Sequence, residues 1–283
     1  MGAVNHFKTA AFLGLLTALM LSLGQVLGGT SGLTFAIVIA LAMNVGSYYF
    51  SDRIVLRMYK AKEVGKEHKL YIMVDKLRKK AGLPMPKVYT ISSATPNAFA
   101  TGRNPANAAV AATEGIMKIL DDDELEGVMA HELTHVKNRD TLIATIAATI
   151  AGVISYVALM ARWAAIFGGF GGNNRDSNGL ELLFLAILTP IIATIIQLAI
   201  SRSREFLADA GAAKISGKPE ALASALRKIH EGVSKHPLRA TENTRATASL
   251  FIANPFKGGS LTNIFSTHPP VNKRIEKLNS MSH

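Results

Sequence analysis

Charge is distributed along this chain in blocks. Between Lys8 and Asp52 there is no Lys, Arg, Asp or Glu, and the same holds between Asp140 and Arg162. Between Glu181 and Arg202 the one strongly polar side chain is Gln197. A bilayer core of roughly 30 Å is crossed by about 20 apolar helical residues. Two of these windows fit one crossing each. The first is too long for one and contains "GGTSG" at Gly28–Gly32, so it predicts two spans, Thr9–Leu27 and Leu33–Phe50, joined by a tight turn. Four transmembrane helices are therefore expected. A cleaved signal peptide fits the start poorly, because Lys8 is its only basic residue and no Ala-x-Ala-like site follows.

The segments between the windows have the periodicities of a folded domain. Leu70, Met73, Val74 and Leu77 fall at i, i+3, i+4 and i+7, which predicts a helix over Glu67–Ala81, stopped by Gly82 and Pro84. "KVYTIS", "NAFATG" and "NAAVAAT" read as strands, the last two separated by the turn residues "GRNP". "DDDELEGVMAHELTHV" starts a helix with Asp121–Asp123 as caps and first-turn anions. No glycine or proline lies between His131 and Gly152, so this helix is expected to run straight into the third apolar stretch. "SRSREFLADAGAAKISG" and "PEALASALRKIHEGV" read as two further helices, and "PVNKRIEKLN" as a surface helix. Residues 236–270 read as irregular.

Composition adds orientation. Only 18% of residues are charged, 49% are hydrophobic, and the net charge is +11. Of the 31 Lys and Arg, 15 lie between Arg53 and Arg139 and 13 between Arg202 and Lys277. The positive-inside rule then places the N-terminus and both of these segments in the cytoplasm. No basic helix with interleaved aromatics is present, which argues against a nucleic-acid partner. There is no cysteine, so a metal would have to be held by nitrogen and oxygen donors.

The chemistry is concentrated where a charged block meets an apolar one, at "HELTHVKNRD". His131 and His135 are four apart, so on a helix both imidazoles face the same side. Glu132 lies between them. This is the His-Glu-x-x-His arrangement of zinc metalloproteases, in which the histidines ligate and the glutamate is the general base. It implies a zincin-like α+β catalytic domain and one Zn²⁺ per chain. A catalytic zinc takes three protein ligands. Asn138 and Thr141 stand where the extended metzincin pattern needs Gly and His, so that class is excluded. The third apolar stretch leaves the cytoplasm just after Asp140 and the fourth returns near Ile200. His135 precedes Thr141 by six positions and Glu205 follows Ile200 by five, so an antiparallel membrane hairpin delivers Glu205 to the depth of the histidines. Glu181 lies at the far end of the fourth stretch. Asp209, one turn beyond Glu205, is placed to accept from the free nitrogen of a zinc-bound histidine. Arg202, Arg204 and Lys214 are alternative partners for these two carboxylates.

"RMY", "LPMPKVY", "PNAFATGRNP", "AAVAATEGI", "GVMAHELTHVKNRD", "SRSREFLADAGAA" and "FSTHPP" together resemble the HtpX-type heat-shock membrane proteases, relatives of the membrane-embedded CAAX prenyl proteases. The resemblance runs the length of the chain. It implies a zinc endopeptidase of the cytoplasmic membrane that faces the cytoplasm and removes misfolded or damaged membrane proteins under stress. His131, His135 and Glu205 match the family's zinc ligands, Glu132 its general base and Asp209 its helix aspartate. His268 in "THPP" matches a recurrent position, open between support of the site and local capping. Leu207 stands where many relatives have a polar residue. The expected organisation is a membrane hairpin over 1–52, a protease segment over 53–140, a second hairpin over 141–200 and a second protease segment over 201–283. Asn97, Ala98 and Phe99 are expected on a sheet edge that grips substrate as an added strand. The competing readings are a catalytically silent zinc-binding membrane scaffold, which would not need Glu132, and a transporter, whose spans would hold more ionisable residues.

Overall fold

The structure is a computed structural model that describes residues 2–146, 202–235, 250–252 and 269–281. The third apolar stretch beyond residue 146, the fourth apolar stretch, Glu181 and His268 fall outside the described residues.

Helix α1 spans Gly2–Met58. Its helical backbone runs through Gly28–Gly32, where a tight turn was expected. Even so, the two halves lie side by side, because Asn44 Nδ2 donates to Thr17 Oγ1 at 2.7 Å. A straight helix would separate these residues by about 40 Å, so the chain reverses between them. Their midpoint falls within Gly28–Gly32. Thr30–Phe50 is, among the described residues, the one stretch long and apolar enough to cross a membrane by length and composition. Phe35, Val38, Leu41 and Val45 on it are exposed, while Ala36 and Ala40 are buried. With Asn44 these two small residues form an i, i+4, i+8 row toward the other half, the kind of close-packing face that membrane helices use.

Beyond α1 the chain forms a small mixed sheet. Its strands are β1 (Lys62–Glu63), β2 (Lys87–Ile91), β3 (Ala98–Gly102) and β4 (Ala108–Thr113), in spatial order β1-β2-β4-β3. Strands β2 and β4 are parallel; β3 runs antiparallel to β4 and forms one edge. The two-residue β1, pairing antiparallel with β2, was not expected. Alternation assigns the faces. Ala98, Ala100, Ala108, Val110 and Ala112 point into the main core, whereas Phe99, Ala109 and Ala111 pack with Val55 and Leu56 of α1.

The main core is closed by helices. Helix α2 covers Lys69–Ala81, with Leu70, Val74, Leu77 and Ala81 buried. A short α3 over Glu114–Ile119 follows β4, and α4 covers Asp122–Asn138. A capping box starts α4: Glu124 N–H donates to Asp121, and Asp121 N–H donates to the Glu124 carboxylate. The expected uninterrupted passage into the third apolar stretch does not occur. Arg139 adopts φ 59°, ψ 31° and its N–H closes back on His135 and Val136. Helical backbone resumes at Asp140. A left-handed cap needs no glycine when only one residue adopts it, which is why the sequence pattern concealed this break.

Helices α5 (Arg202–Ser216), α6 (Pro219–Lys235) and α7 (Val271–Asn279) complete the layer. Gly211 of α5 sits directly on α4: a Cβ there would lie 2.3 Å from Thr134 Cγ2. The missing side chain lets the two backbones approach closely. Helix α7 was read as a surface helix. One of its faces is in fact buried, with Arg274, Ile275 and Leu278 inside.

Candidate metal centre

Helix α4 presents both histidines to one point, as their spacing requires. His131 Nε2 and His135 Nε2 are 3.1 Å apart. Helix α5 brings Glu205 across from the other half of the sequence, with Oε2 3.8 Å from His131 Nε2 and Oε1 3.5 Å from His135 Nε2. One donor atom from each residue can be chosen so that all lie within 4.8 Å of one another. Two imidazole nitrogens and a carboxylate converging so closely are a donor set suited to a divalent cation. They would otherwise be a poor combination to bury, since each would forfeit its hydration for imperfect partners.

The far sides of both rings are supported. His131 Nδ1 lies 3.0 Å from Asp209 Oδ1. His135 Nδ1 lies 3.2 Å from Asp140 Oδ2. A carboxylate behind a ligating imidazole fixes its tautomer and raises its basicity. The sequence reading of Asp209 as a neighbour of a histidine thus agrees with its placement. Its cationic partner is neither Lys214 nor a nearby arginine of α5 but Arg274 of α7. Arg274 Nε donates to Asp209 Oδ2 at 2.8 Å and Nη2 to Oδ1 at 2.7 Å. Its Nη1 donates to the Ile252 carbonyl at 3.2 Å and lies 3.4 Å from Glu205 Oε2. The side chain is fully buried.

Sequence reasoning missed Arg274 and Asp140. Both left a trace. Arg274 occupies the apolar row Val271, Arg274, Ile275, Leu278, where a solvated arginine would not fall. Asp140 is the last charge before 21 uncharged residues.

Burial sets the protonation of the metal-free site. It lowers His131, which has too little help from Asp209 to stay charged. In His135 burial acts the same way but is outweighed by Asp140, Glu205 and Glu132, and the pKa is pushed up to about 9. Glu132 is pushed up to about 7, mainly by burial, with Glu205 adding to the effect. Burial works to raise Asp209 as well, yet Arg274 and His131 hold it below the usual carboxylate range.

Glu132 faces the edge strand, where the backbone of Ala100 hydrogen-bonds to it. Asn97 and Thr113 are a hydrogen-bonded pair, with Thr113 N–H donating to the Asn97 carbonyl at 2.9 Å. In an antiparallel ladder such pairs alternate. Given the register Ala98↔Ala112 and Ala100↔Val110, Ala98 and Ala100 therefore turn their backbone groups away from β4, toward the site. Gly102 does so too, and its carbonyl accepts from Thr141 Oγ1 at 2.9 Å. Phe99 and Ala100 line the same cavity as His131, Glu132, His135 and Glu205. Asn97 holds one wall of it, since its Oδ1 accepts from Ile252 N–H at 3.1 Å.

The model of peptidase family M48 matches residues 65–282. The chain belongs to peptidase family M48. A "Protease HtpX homolog" of Syntrophotalea carbinolica is 52% identical over 280 residues, covering 99% of each chain. One of Thermococcus sibiricus is 50% identical over 287 residues, covering all of this chain and 98% of its own. The crystal structure of S. mikatae Ste24p matches with a TM-score of 0.53 at 18% identity, over 98% of this chain and 66% of that one. That likeness concerns the fold. This M48 protein is a metalloprotease of HtpX type, and its His131, His135 and Glu205 form a group able to hold a metal ion.

Proposed function

We propose that this M48 protein is a zinc-dependent integral-membrane endopeptidase that cleaves misfolded or damaged membrane proteins on the cytoplasmic side. The observation that carries the reading is the convergence of three donors from two distant helices, beside a glutamate that also contacts an edge strand. His131, His135 and Glu205 hold the ion, with Asp209 and Asp140 orienting the rings. Zinc held there would supply a Lewis acid able to polarise a scissile carbonyl and to acidify water. Glu132, poised near neutrality by burial, takes the proton from the attacking water and delivers it to the departing amine. The outward backbone groups of Ala98 and Ala100, flanked by Asn97 and Phe99, grip an extended substrate as an added strand. Main-chain pairing is indifferent to sequence, which suits a protease of damaged proteins.

The membrane setting is supported by the apolar Thr30–Phe50 stretch, the exposed apolar face of α1 and the clustering of basic residues in the two protease segments. Four spans, with the domain boundaries 1–52, 53–140, 141–200 and 201–283, remain our reading of the apolar pattern.

The test is cleavage of an unfolded protein by detergent-purified enzyme, with and without added zinc. Glu132→Gln should keep its zinc and lose activity by about 10²–10⁴-fold. If that variant cleaves at the wild-type rate, the mechanism is wrong. A zinc-loaded wild type that never cleaves would favour the scaffold reading.

A further inference from the structure

A second cavity, of ≈520 Å³, lies away from the metal centre, between the C-terminal part of α1 and the sheet. Four cations line it: Arg53 and Arg57 from α1, Lys87 at the start of β2 and Arg103 from the β3–β4 connection. Asp52 is the one acidic residue among the lining. No ion pair to a carboxylate is made by these four among the described residues. Other cations of the protease segments do pair: Lys69 with Asp122, Arg78 and Lys79 with Asp75, Lys218 with Asp123, and Lys228 with Glu124. Four like charges around one concave space repel one another, and an anion entering it relieves that repulsion.

Position narrows the anion. The cavity begins where the Thr30–Phe50 stretch ends. Tyr49 belongs to that stretch and also lines the cavity. Arg103 sits over the Tyr49 ring at 5.1 Å and Arg53 over Phe50 at 5.5 Å. Aromatic rings at the end of an apolar helix mark headgroup depth. Leu56, Met85, Ala108 and Ala109 give the remaining wall an apolar character, matching the glycerol and upper acyl region below a phosphate. Asn107 and Tyr89 add polar groups at the rim.

We propose that this cavity binds the phosphate headgroup of an anionic phospholipid, through Arg53, Arg57, Lys87 and Arg103. The proposal rests on the membrane reading above. Because the cavity joins α1 to the sheet that carries β3, an occupying headgroup ties the membrane helix to the strand beside the metal centre.

The test is native mass spectrometry of the full-length protein exchanged from micelles doped with phosphatidylglycerol or phosphatidylcholine. Wild type should retain phosphatidylglycerol preferentially. Arg57→Gln with Arg103→Gln should weaken that retention by roughly tenfold or more. Arg227→Gln with Lys235→Gln removes the same charge elsewhere and should leave it unchanged. Arg57→Lys with Arg103→Lys, which keeps charge, should preserve most of it and guards against misfolding of the glutamine pair. Equal retention of both lipids by wild type, or equal loss in the two glutamine pairs, overturns the proposal. So does displacement of the lipid by millimolar inorganic phosphate, which would make this a soluble-anion site. Membrane extraction of the same protein separates the two levels. If it leaves the membrane in alkaline carbonate, the membrane reading itself fails. If it stays but shows no lipid preference, the headgroup inference alone fails.

Discussion

His131 and His135 stand one turn apart on the same helix, yet they occupy different electrostatic worlds. His131 has 1% of its side chain exposed, and the carboxylate behind it is clamped by two hydrogen bonds from a buried arginine. His135 has 16% exposed, and the carboxylate behind it has Arg204 no nearer than 3.9 Å. The consequence is opposite protonation in the metal-free protein: His131 lowered, His135 raised to about 9. A carboxylate whose charge is already shared with an arginine does less to hold a proton on its histidine. Burial thus keeps His131 neutral against the pull of Asp209, which Arg274 weakens while the pair aims the ring, whereas Asp140, Glu205 and Glu132 leave His135 to give up a proton when an ion arrives.

The comparison breaks most completely if the residue common to both rings is removed. Glu205→Ala should abolish stoichiometric zinc, whereas Glu181→Ala should leave it intact. Metal analysis of the purified variants decides this, and equal occupancy would move the third ligand elsewhere. Next in size is Arg274→Met, which leaves Asp209 buried beside His131 without its cation. Loss of one partner of a buried pair costs about 3–5 kcal/mol, so thermal unfolding should fall sharply. If the melting temperature is unmoved, the clamp is not structural.

Asp209→Asn keeps shape and removes charge. Zinc affinity should fall by about 10–100-fold in a competing-chelator titration. A midpoint within twofold of wild type would reduce Asp209 to packing. Asp140→Asn should act more gently, since its histidine is partly solvated, and its signature is a pH profile. His135 must lose its proton to ligate, so wild-type zinc affinity should climb as pH rises toward about 9. Without Asp140 the pKa falls and the climb should end at lower pH. In the metal-free protein the sign is reversed. A His pKa raised on folding stabilises fully below about 6.5, and that contribution is lost as pH rises through about 9. Chelated protein should therefore lose some stability across that window, and chelated Asp140→Asn less. Superimposable profiles would show that Asp140 does not set this titration.

Local pattern was enough for much of this. Helix periodicity found α2, whose one face meets the core, and the capping acids Asp121–Asp123 marked the start of α4, which is buried from Glu124 to Thr134; α5 and α6 were also expected as helices. The strands β2, β3 and β4 were legible from short runs bounded by turn residues, although β3 and β4 are buried on both faces. The pair His131 and His135, with Glu132 between them, was determined by helical spacing, and Glu205 followed from the order of apolar and charged blocks. Arg139 was not legible, since a left-handed cap at an ordinary residue leaves no mark in composition. Nor was β1, too short to show alternation.

What the sequence by itself determined is thus the set of groups that one helix, or the order of charged and apolar blocks, marks out. What only the tertiary structure decided is which distant charges meet them. Arg274 lies 65 residues from Asp209, and no periodicity links the two. Their pairing depends on how α7 docks against α6 and α5, on Gly211 letting α4 and α5 close together, and on the Ile252 carbonyl accepting from the same guanidinium. Burial makes that meeting matter. In water an arginine and an aspartate are worth little to each other, but where solvent is excluded each must find the other, and the histidine they orient is set by the fold.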